Sequence, residues 1–388
     1  MRVLFLQKVD NAKGGVINVN LHLMQMMCDC GNEVHLLSIR HGYTWEEIIY
    51  PEQVKQHLAN RDEIWGCPRL SEIADFLKHG HPVNAAKHGL DRIHYKIQIS
   101  RDYRQSENQI RQINPDVIIC SHYEILKGIP DEYLSRSVMH FHTSFDQILK
   151  NRSYRNIFHK YKDRIYSFIW LSQKTAEQAT AFGYTNSTYI YNPISFSSET
   201  AADQNNKKVI FLGRLSPEKR VHLAIRYFRE AIEENNIADW TFEIYGDGDL
   251  ESEIRAEIGN HPNIHYMGRT ENVKETLLTG SFMVLTSQFE GMPLSVLEAN
   301  ECGLPVLAFD FGESADEIIK NGVTGLIIPQ GNEKQYKQEL SKMMLDQDYR
   351  QRLSDHAKEF VKTFSAEEIG SQWENLLAEI SAKQEKNS

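Results

Sequence analysis

No run of about 18 consecutive apolar residues occurs in the 388 positions, so no segment reads as a membrane-spanning helix. The apolar start Val3-Leu4-Phe5-Leu6 is interrupted at once by Gln7, Lys8 and Asp10. That is too short for the core of a secretory signal, and it predicts a first strand. Cysteine is scarce: Cys28, Cys30, Cys67, Cys120 and Cys302 are odd in number and mostly embedded in apolar patterns. This speaks against a disulfide framework and for reduced thiols in the cytosol. Cys28-Asp29-Cys30 lacks the second pair that a structural zinc site needs, and no metal is expected. A basic stripe interleaved with aromatics is also missing, and the isoelectric point near 5.9 opposes one, which excludes the common nucleic-acid modules. Hydride chemistry is not supported either, because the Gly246-x-Gly248 turn has Glu251 where a dinucleotide fingerprint needs its third glycine.

What the chain does have is an alternating pattern and an uneven charge. Residues 1–192 carry 23 Lys and Arg against 20 Asp and Glu, and the remainder carries 20 against 33, within a net charge of −10. The first half therefore suits an anionic surface or acceptor better than the second. Short apolar runs at Val3–Gln7, Glu33–Ile39, Asp116–Cys120, Ser137–Phe141 and Ile165–Leu171 alternate with helical patterns. The rhythm repeats at Lys208–Leu212, Trp240–Tyr245, Ile264–Met267, Phe282–Thr286, Pro305–Phe309 and Gly325–Ile328. Two doubly wound α/β halves are the expectation, joined by the polar linker Ser195–Asn206, with a site in the cleft between them outside the carboxyl ends of the strands. A last amphipathic helix carries Ile369, Trp373, Leu376, Leu377 and Ile380 on one face. The stretch Lys150–Arg164 combines six cations with the helical stripe Tyr154, Ile157, Phe158 and Tyr161. It reads either as an anionic-membrane or acceptor surface or as a solvated helix packed by its stripe.

The segment Ser287–Pro305 holds the chemistry. Glu290 and Glu298 flank a turn and a helix start, with Gly291 and Met292 in the turn and Pro293 expected at the first helical position. The next backbone N–H groups, about Leu294, Ser295 and Val296, face away from any helical acceptor, so an anion such as a phosphate is stabilised there. The two carboxylates can then accept hydrogen bonds from hydroxyls on either side, as a nucleotide-sugar would offer. An acidic helix start that merely complements the dipole is the bland alternative. After the strand Lys208–Leu212, Gly213 leads to Arg214 and Lys219, a guanidinium and an ammonium that suit a diphosphate leaving group as it gains charge. His142 lies just past a strand end, where it can reach a sugar hydroxyl, while His140 shares its face and reads either as a support behind it or as simply buried.

Together Gly213-Arg214…Lys219, Glu290-x7-Glu298 and Gly303-Leu304-Pro305 resemble the signature of retaining GT-B glycosyltransferases of the family 4 type. The resemblance implies two Rossmann-like domains facing a central cleft, residues 1–194 on the acceptor side and 207–365 on the nucleotide-sugar side, with the helix 366–385 crossing back to the first domain. It implies that His142, Arg214, Lys219 and Glu290 act in catalysis, and that Gly14, Gly15, Gly213, Arg269, Gly291, Met292, Pro293, Leu294, Ser295 and Glu298 bind the donor. A UDP-sugar is favoured as donor, and a glycan, lipid-linked or part of a surface polysaccharide, is the acceptor. No metal or other cofactor is implied, and no side-chain general base, because the departing phosphate accepts the acceptor's proton. The expected place is the cytoplasm, with peripheral attachment to the anionic inner face of a membrane. A nucleotide-sugar epimerase, a phosphorylase and a catalytically silent partner subunit share the architecture. The first two would need acid and base carboxylates or a cofactor lysine in a much longer chain, and the intact Arg, Lys and Glu set disfavours the third. Across residues 41–110 the resemblance is weak, which leaves the acceptor open.

Overall fold

The structure, a computed structural model, describes residues 1–8, 15–39, 49–59, 70–79 and 81–387. Thirteen strands occur among the described residues: β1 (Arg2–Gln7), β2 (Glu33–Ser38), β3 (Lys55–Leu58), β4 (Val117–Cys120), β5 (Ser137–His140), β6 (Ser167–Trp170), β7 (Ser187–Tyr189), β8 (Lys208–Leu212), β9 (Thr241–Tyr245), β10 (Ile264–Gly268), β11 (Phe282–Leu285), β12 (Val306–Phe309) and β13 (Gly325–Ile328). One sheet has the order β3-β2-β1-β4-β5-β6-β7, the other β10-β9-β8-β11-β12-β13. The second is parallel throughout. In both, the order reverses beside the first strand, between β1 and β4 and between β8 and β11. The central strands Val3–Leu6, Ile118–Cys120, Val209–Phe211 and Phe282–Leu285 are buried along their whole length, as parallel strands covered by helices on both faces must be.

Contacts divide the chain into two compact units. One comprises Met1–Phe141, Asn151–Ile169 and Glu374–Ser388; the other comprises His142–Lys150 and Trp170–Trp373. Residues 142–150 and 170–194, read from the sequence as part of the first domain, thus cluster with the second. The C-terminal helix Ala366–Asn387 buries Ile369, Trp373, Leu376, Leu377 and Ile380. From Glu374 on it joins the first unit, where Asn32 donates to Glu374 at 2.8 Å and Gln384 to the Ser135 carbonyl at 3.2 Å.

Three expectations need correction. Strands β3 and β7 were not legible because Lys-Gln-His-Leu and Ser-Thr-Tyr carry no apolar run; both lie at sheet edges, where polar side chains are tolerated and discourage further pairing. The polar stretch Ser195–Asn206 has no helix or strand, yet it is no loose linker. The Ser198 N–H donates to Glu301 at 2.6 Å, the Ala202 N–H to the Cys302 carbonyl at 2.8 Å, and Arg350 to the Gln204 carbonyl at 2.8 Å. Ser198, Ala202 and Gln204 are buried, so their backbone groups need these partners. Finally, the helix Arg152–Tyr161 turns Ile157, Phe158 and Tyr161 into the first unit, where Phe158 meets Phe141 and Phe168. Three of its four stripe residues are thus core and Tyr154 is half-buried, the packing that the solvated-helix alternative describes.

Candidate functional site

Strands β8 and β11 are neighbours, so the loops that leave their carboxyl ends must meet, as loops do at the point where a doubly wound sheet reverses its order. The loop after β8 runs through Gly213 and Arg214 into a short 3-10 turn, Pro217–Lys219; the loop after β11 runs through Thr286 to Pro293. They meet at an ion pair: Lys219 Nζ lies 2.5 Å from Glu290 Oε1, with both side chains mostly buried. Sequence reading assigned Lys219 to a phosphate and Glu290 to a sugar hydroxyl without seeing that they are partners.

Arg220, to which sequence reasoning gave no role, locks this junction. Its backbone is left-handed, φ 48°, and its guanidinium donates to the carbonyls of Thr286 at 2.8 Å and Ser287 at 3.1 Å and to Gln330 at 2.7 Å. In return the Thr286 hydroxyl donates to the Lys219 and Arg220 carbonyls, at 2.9 and 3.0 Å. Gln330 completes the brace by donating to the carbonyls of Ser287 and Asp310, at 2.9 and 2.7 Å. The only sequence signal was a third cation following Lys219 directly. Arg214 is exposed on the same loop.

The turn after β11 is held from both sides. Glu290 donates its N–H to the Phe311 carbonyl at 3.0 Å, and the Ser314 hydroxyl donates to the Gly291 carbonyl at 2.5 Å. Gly291 packs against the backbone of His142: a Cβ at this position would fall 2.7 Å from the His142 carbonyl oxygen. The glycine is thus required for close approach rather than for turning, and it brings the histidine segment to the glutamate turn. Burial without compensating charge pushes the His142 imidazole down to about 4, so it is neutral at pH 7 and suited to exchanging hydrogen bonds with a hydroxyl. Asn192, buried and unnoticed in the sequence, donates to the Met292 carbonyl at 3.2 Å.

The helix Leu294–Glu301 starts one residue later than expected. Pro293 is its N-cap, in extended conformation, and not its first residue. Val296 donates its N–H back to the Pro293 carbonyl at 3.1 Å, so among the three amides proposed to face an anion only Leu294 and Ser295 lack a helical acceptor. Proline at the cap cannot supply a side-chain oxygen to them, which keeps them for a ligand. One turn on, Glu298 accepts the Ser195 hydroxyl at 2.7 Å; burial pushes its carboxyl above the usual range and this hydrogen bond pulls it part of the way back.

The floor of the β8 loop is the Tyr245–Asp249 turn. A Cβ on Gly246 (φ 139°) would fall 1.9 Å from the Gly213 carbonyl oxygen, and one on Gly248 (φ 153°) 2.4 Å from that of Leu215. Leu215 donates its N–H to the Asp247 carbonyl at 2.7 Å, and Gly246 to that of Gly268 at 2.8 Å. The two glycines let three loops stack backbone on backbone, a reason for the Gly-x-Gly pattern that sequence reading did not find. Arg269 is exposed at the third of these loops. Gly14 lies outside the described residues. Gly15 opens the helix Gly15–Asp29, and no atom of the described residues lies within 4 Å of where its Cβ would be.

Residues 195–360 match the family described as Glycosyl transferases group 1. Over 200 residues the chain is 30% identical to an exopolysaccharide phosphotransferase of Streptomyces coelicolor, covering 50% of this chain and 21% of that one. Over 198 residues it is 28% identical to the GalNAc-alpha-(1->4)-GalNAc-alpha-(1->3)-diNAcBac-PP-undecaprenol alpha-1,4-N-acetyl-D-galactosaminyltransferase of Campylobacter jejuni, covering 49% of this chain and 54% of that one. The match thus spans only about a fifth and about half of these relatives. Among solved structures, a mutant of TarM from S. aureus in complex with fondaparinux, alpha-GlcNAc-glycerol and UDP superposes with a TM-score of 0.77 at 15% identity, covering 97% of this chain and 99% of that one. The segment 195–360 is thus similar to the glycosyl transferases of group 1, and the fold of the chain is GT-B.

Proposed function

We propose that this protein is a retaining glycosyltransferase that moves a hexose or N-acetylhexosamine from a nucleotide-sugar, a UDP-sugar by preference, to a lipid-linked or surface glycan. The observation that carries this is the junction of Lys219 with Glu290 beside the open amides of Leu294 and Ser295. A mostly buried ammonium from the β8 loop, paired with a carboxylate that shortly precedes a helix start, suits a diphosphate joined to a hydroxyl-bearing ring. The Campylobacter relative, named for transfer to an undecaprenol-linked glycan, and the UDP in the TarM complex support the choice of acceptor and nucleotide.

In this mechanism Arg214, Lys219 and the two amides hold the diphosphate, Glu290 and His142 hold the sugar hydroxyls, and Glu298 binds the nucleoside side. An incoming diphosphate competes with Glu290 for Lys219 and frees the carboxylate to turn to the sugar. The bond from the anomeric carbon to the phosphate oxygen breaks, the bond to the acceptor oxygen forms on the same face, and the acceptor's proton passes to the departing oxygen. Fixed cations meet the charge as it develops, so no divalent metal is needed. Titration calorimetry tests the donor site: UDP should bind, more tightly than GDP, and binding should weaken at least tenfold in Lys219→Ala. Tight binding of a nicotinamide dinucleotide with none of any nucleoside diphosphate would overturn the assignment.

A further inference from the structure

We propose that the outer face of the long helix Pro82–Ile113 is a docking surface for an anionic lipid bilayer. Packing on this helix is one-sided: Asp102, Ser106, Ile110 and Ile113 are buried toward its end, but before residue 102 Ala85 alone is. Opposite that buried line, Val83, Leu90, Ile93 and Ile97 are exposed by 79, 68, 57 and 49%. At about 100° per residue, these four fall in a sector of roughly 120° centred on Leu90. The same sector holds Lys87, His94, Arg101 and Arg104, all exposed, and no carboxylate from Val83 to Arg104. Leu77, on the neighbouring helix Leu70–Lys78, adds a further exposed aliphatic, 59%.

Exposed aliphatics interleaved with cations are the composition of a helix that lies in a membrane interface. Charge complementarity selects the partner. The chain carries −10 overall, yet this face is purely basic, which fits an anionic leaflet and opposes a second copy of itself, since like-charged faces would repel. The helix Arg152–Tyr161, the sequence's own membrane candidate, buries Ile157, Phe158 and Tyr161 and exposes polar and basic side chains, so it offers no aliphatic for insertion. No helix among the described residues is long and apolar enough to cross a membrane, so attachment here is to a surface. This inference deepens the lipid-linked acceptor reading, and its test is a binding measurement that does not depend on transfer.

The full chain is floated with vesicles of phosphatidylcholine alone or with about one-third phosphatidylglycerol, at low and high salt. Expected is binding to the anionic vesicles at low salt only, lowered at least tenfold by Lys87→Gln/Arg101→Gln/Arg104→Gln and also by Leu90→Ser/Ile97→Ser, and changed little by Arg152→Gln/Lys160→Gln. Binding that the Leu90→Ser/Ile97→Ser variant leaves intact would mean simple attraction to polyanions and would overturn the proposal. So would absence from both vesicle types at low salt, or a dimer in solution that the same variant dissociates. Circular dichroism of each variant separates loss of the surface from loss of the fold.

Discussion

Within the site, single side chains divide into those that touch charge and those that set the conditions for it. Arg214→Ala and Lys219→Ala should each lower kcat by about 10²–10³, equivalent to roughly 2.7–4 kcal/mol, the usual loss of a donor that meets developing charge; steady-state kinetics with the fold verified would show it, and near-normal turnover in both would remove the diphosphate clamp. His142 should titrate with a midpoint near 4, read by NMR of labelled histidine, because burial disfavours its charged form; a midpoint near 6.5 would mean that the ring is hydrated. Glu298 carries a linkage prediction. Its folded pKa is raised above the ordinary 4.5, so ionisation opposes folding, and that cost appears above 4.5 and disappears as pH falls. Thermal unfolding of Glu298→Gln against the parent should therefore favour the variant at pH 7 and not at pH 4. The types Arg214, Lys219, Glu290 and Glu298 were legible because their spacing follows strand ends and a helix start. Arg220, Asn192 and Gln330 were not, since their partners are carbonyls distant in sequence, and a carbonyl leaves no mark in a sequence pattern.

Among the elements, the buried strands were readable almost to the residue, because parallel strands covered on both faces become continuous apolar runs. Edge strands β3 and β7 and the anchoring of Ser195–Asn206 were hidden, each decided by a hydrogen-bond partner elsewhere in the chain, and the cap position of Pro293 by its own extended backbone. The stacked loops after β8, β9 and β10 offer the sharpest test at this scale. Gly246→Ala would place a methyl inside the Gly213 carbonyl at a strongly positive φ, and should cost about 3 kcal/mol of stability or force the β8 loop to move. Urea unfolding would give the first and loss of UDP affinity the second. An Ala variant with parental stability and affinity would show that the loops are not stacked as described.

For the molecule as a whole, sequence periodicity announced two doubly wound sheets, and the order of each agrees. The division of the chain was less readable, because residues 142–150 and 170–194 carry no compositional mark of the unit in which they cluster. Charge is unevenly distributed: the acidic half contains the junction of Lys219 and Glu290, and the more basic half contains the exposed helix Pro82–Ile113. The central claim is that a nucleoside diphosphate leaves from that junction with the protein's own cations as its counter-charge. It is tested most directly by nucleotide release from a panel of UDP- and GDP-sugars, with and without chelator, for the parent and Lys219→Ala. The expected result is UDP release from at least one UDP-sugar, unchanged in chelator and reduced about a hundredfold or more in the variant. Release that vanishes in chelator and returns with Mn²⁺, or that Lys219→Ala leaves unaltered, would contradict it.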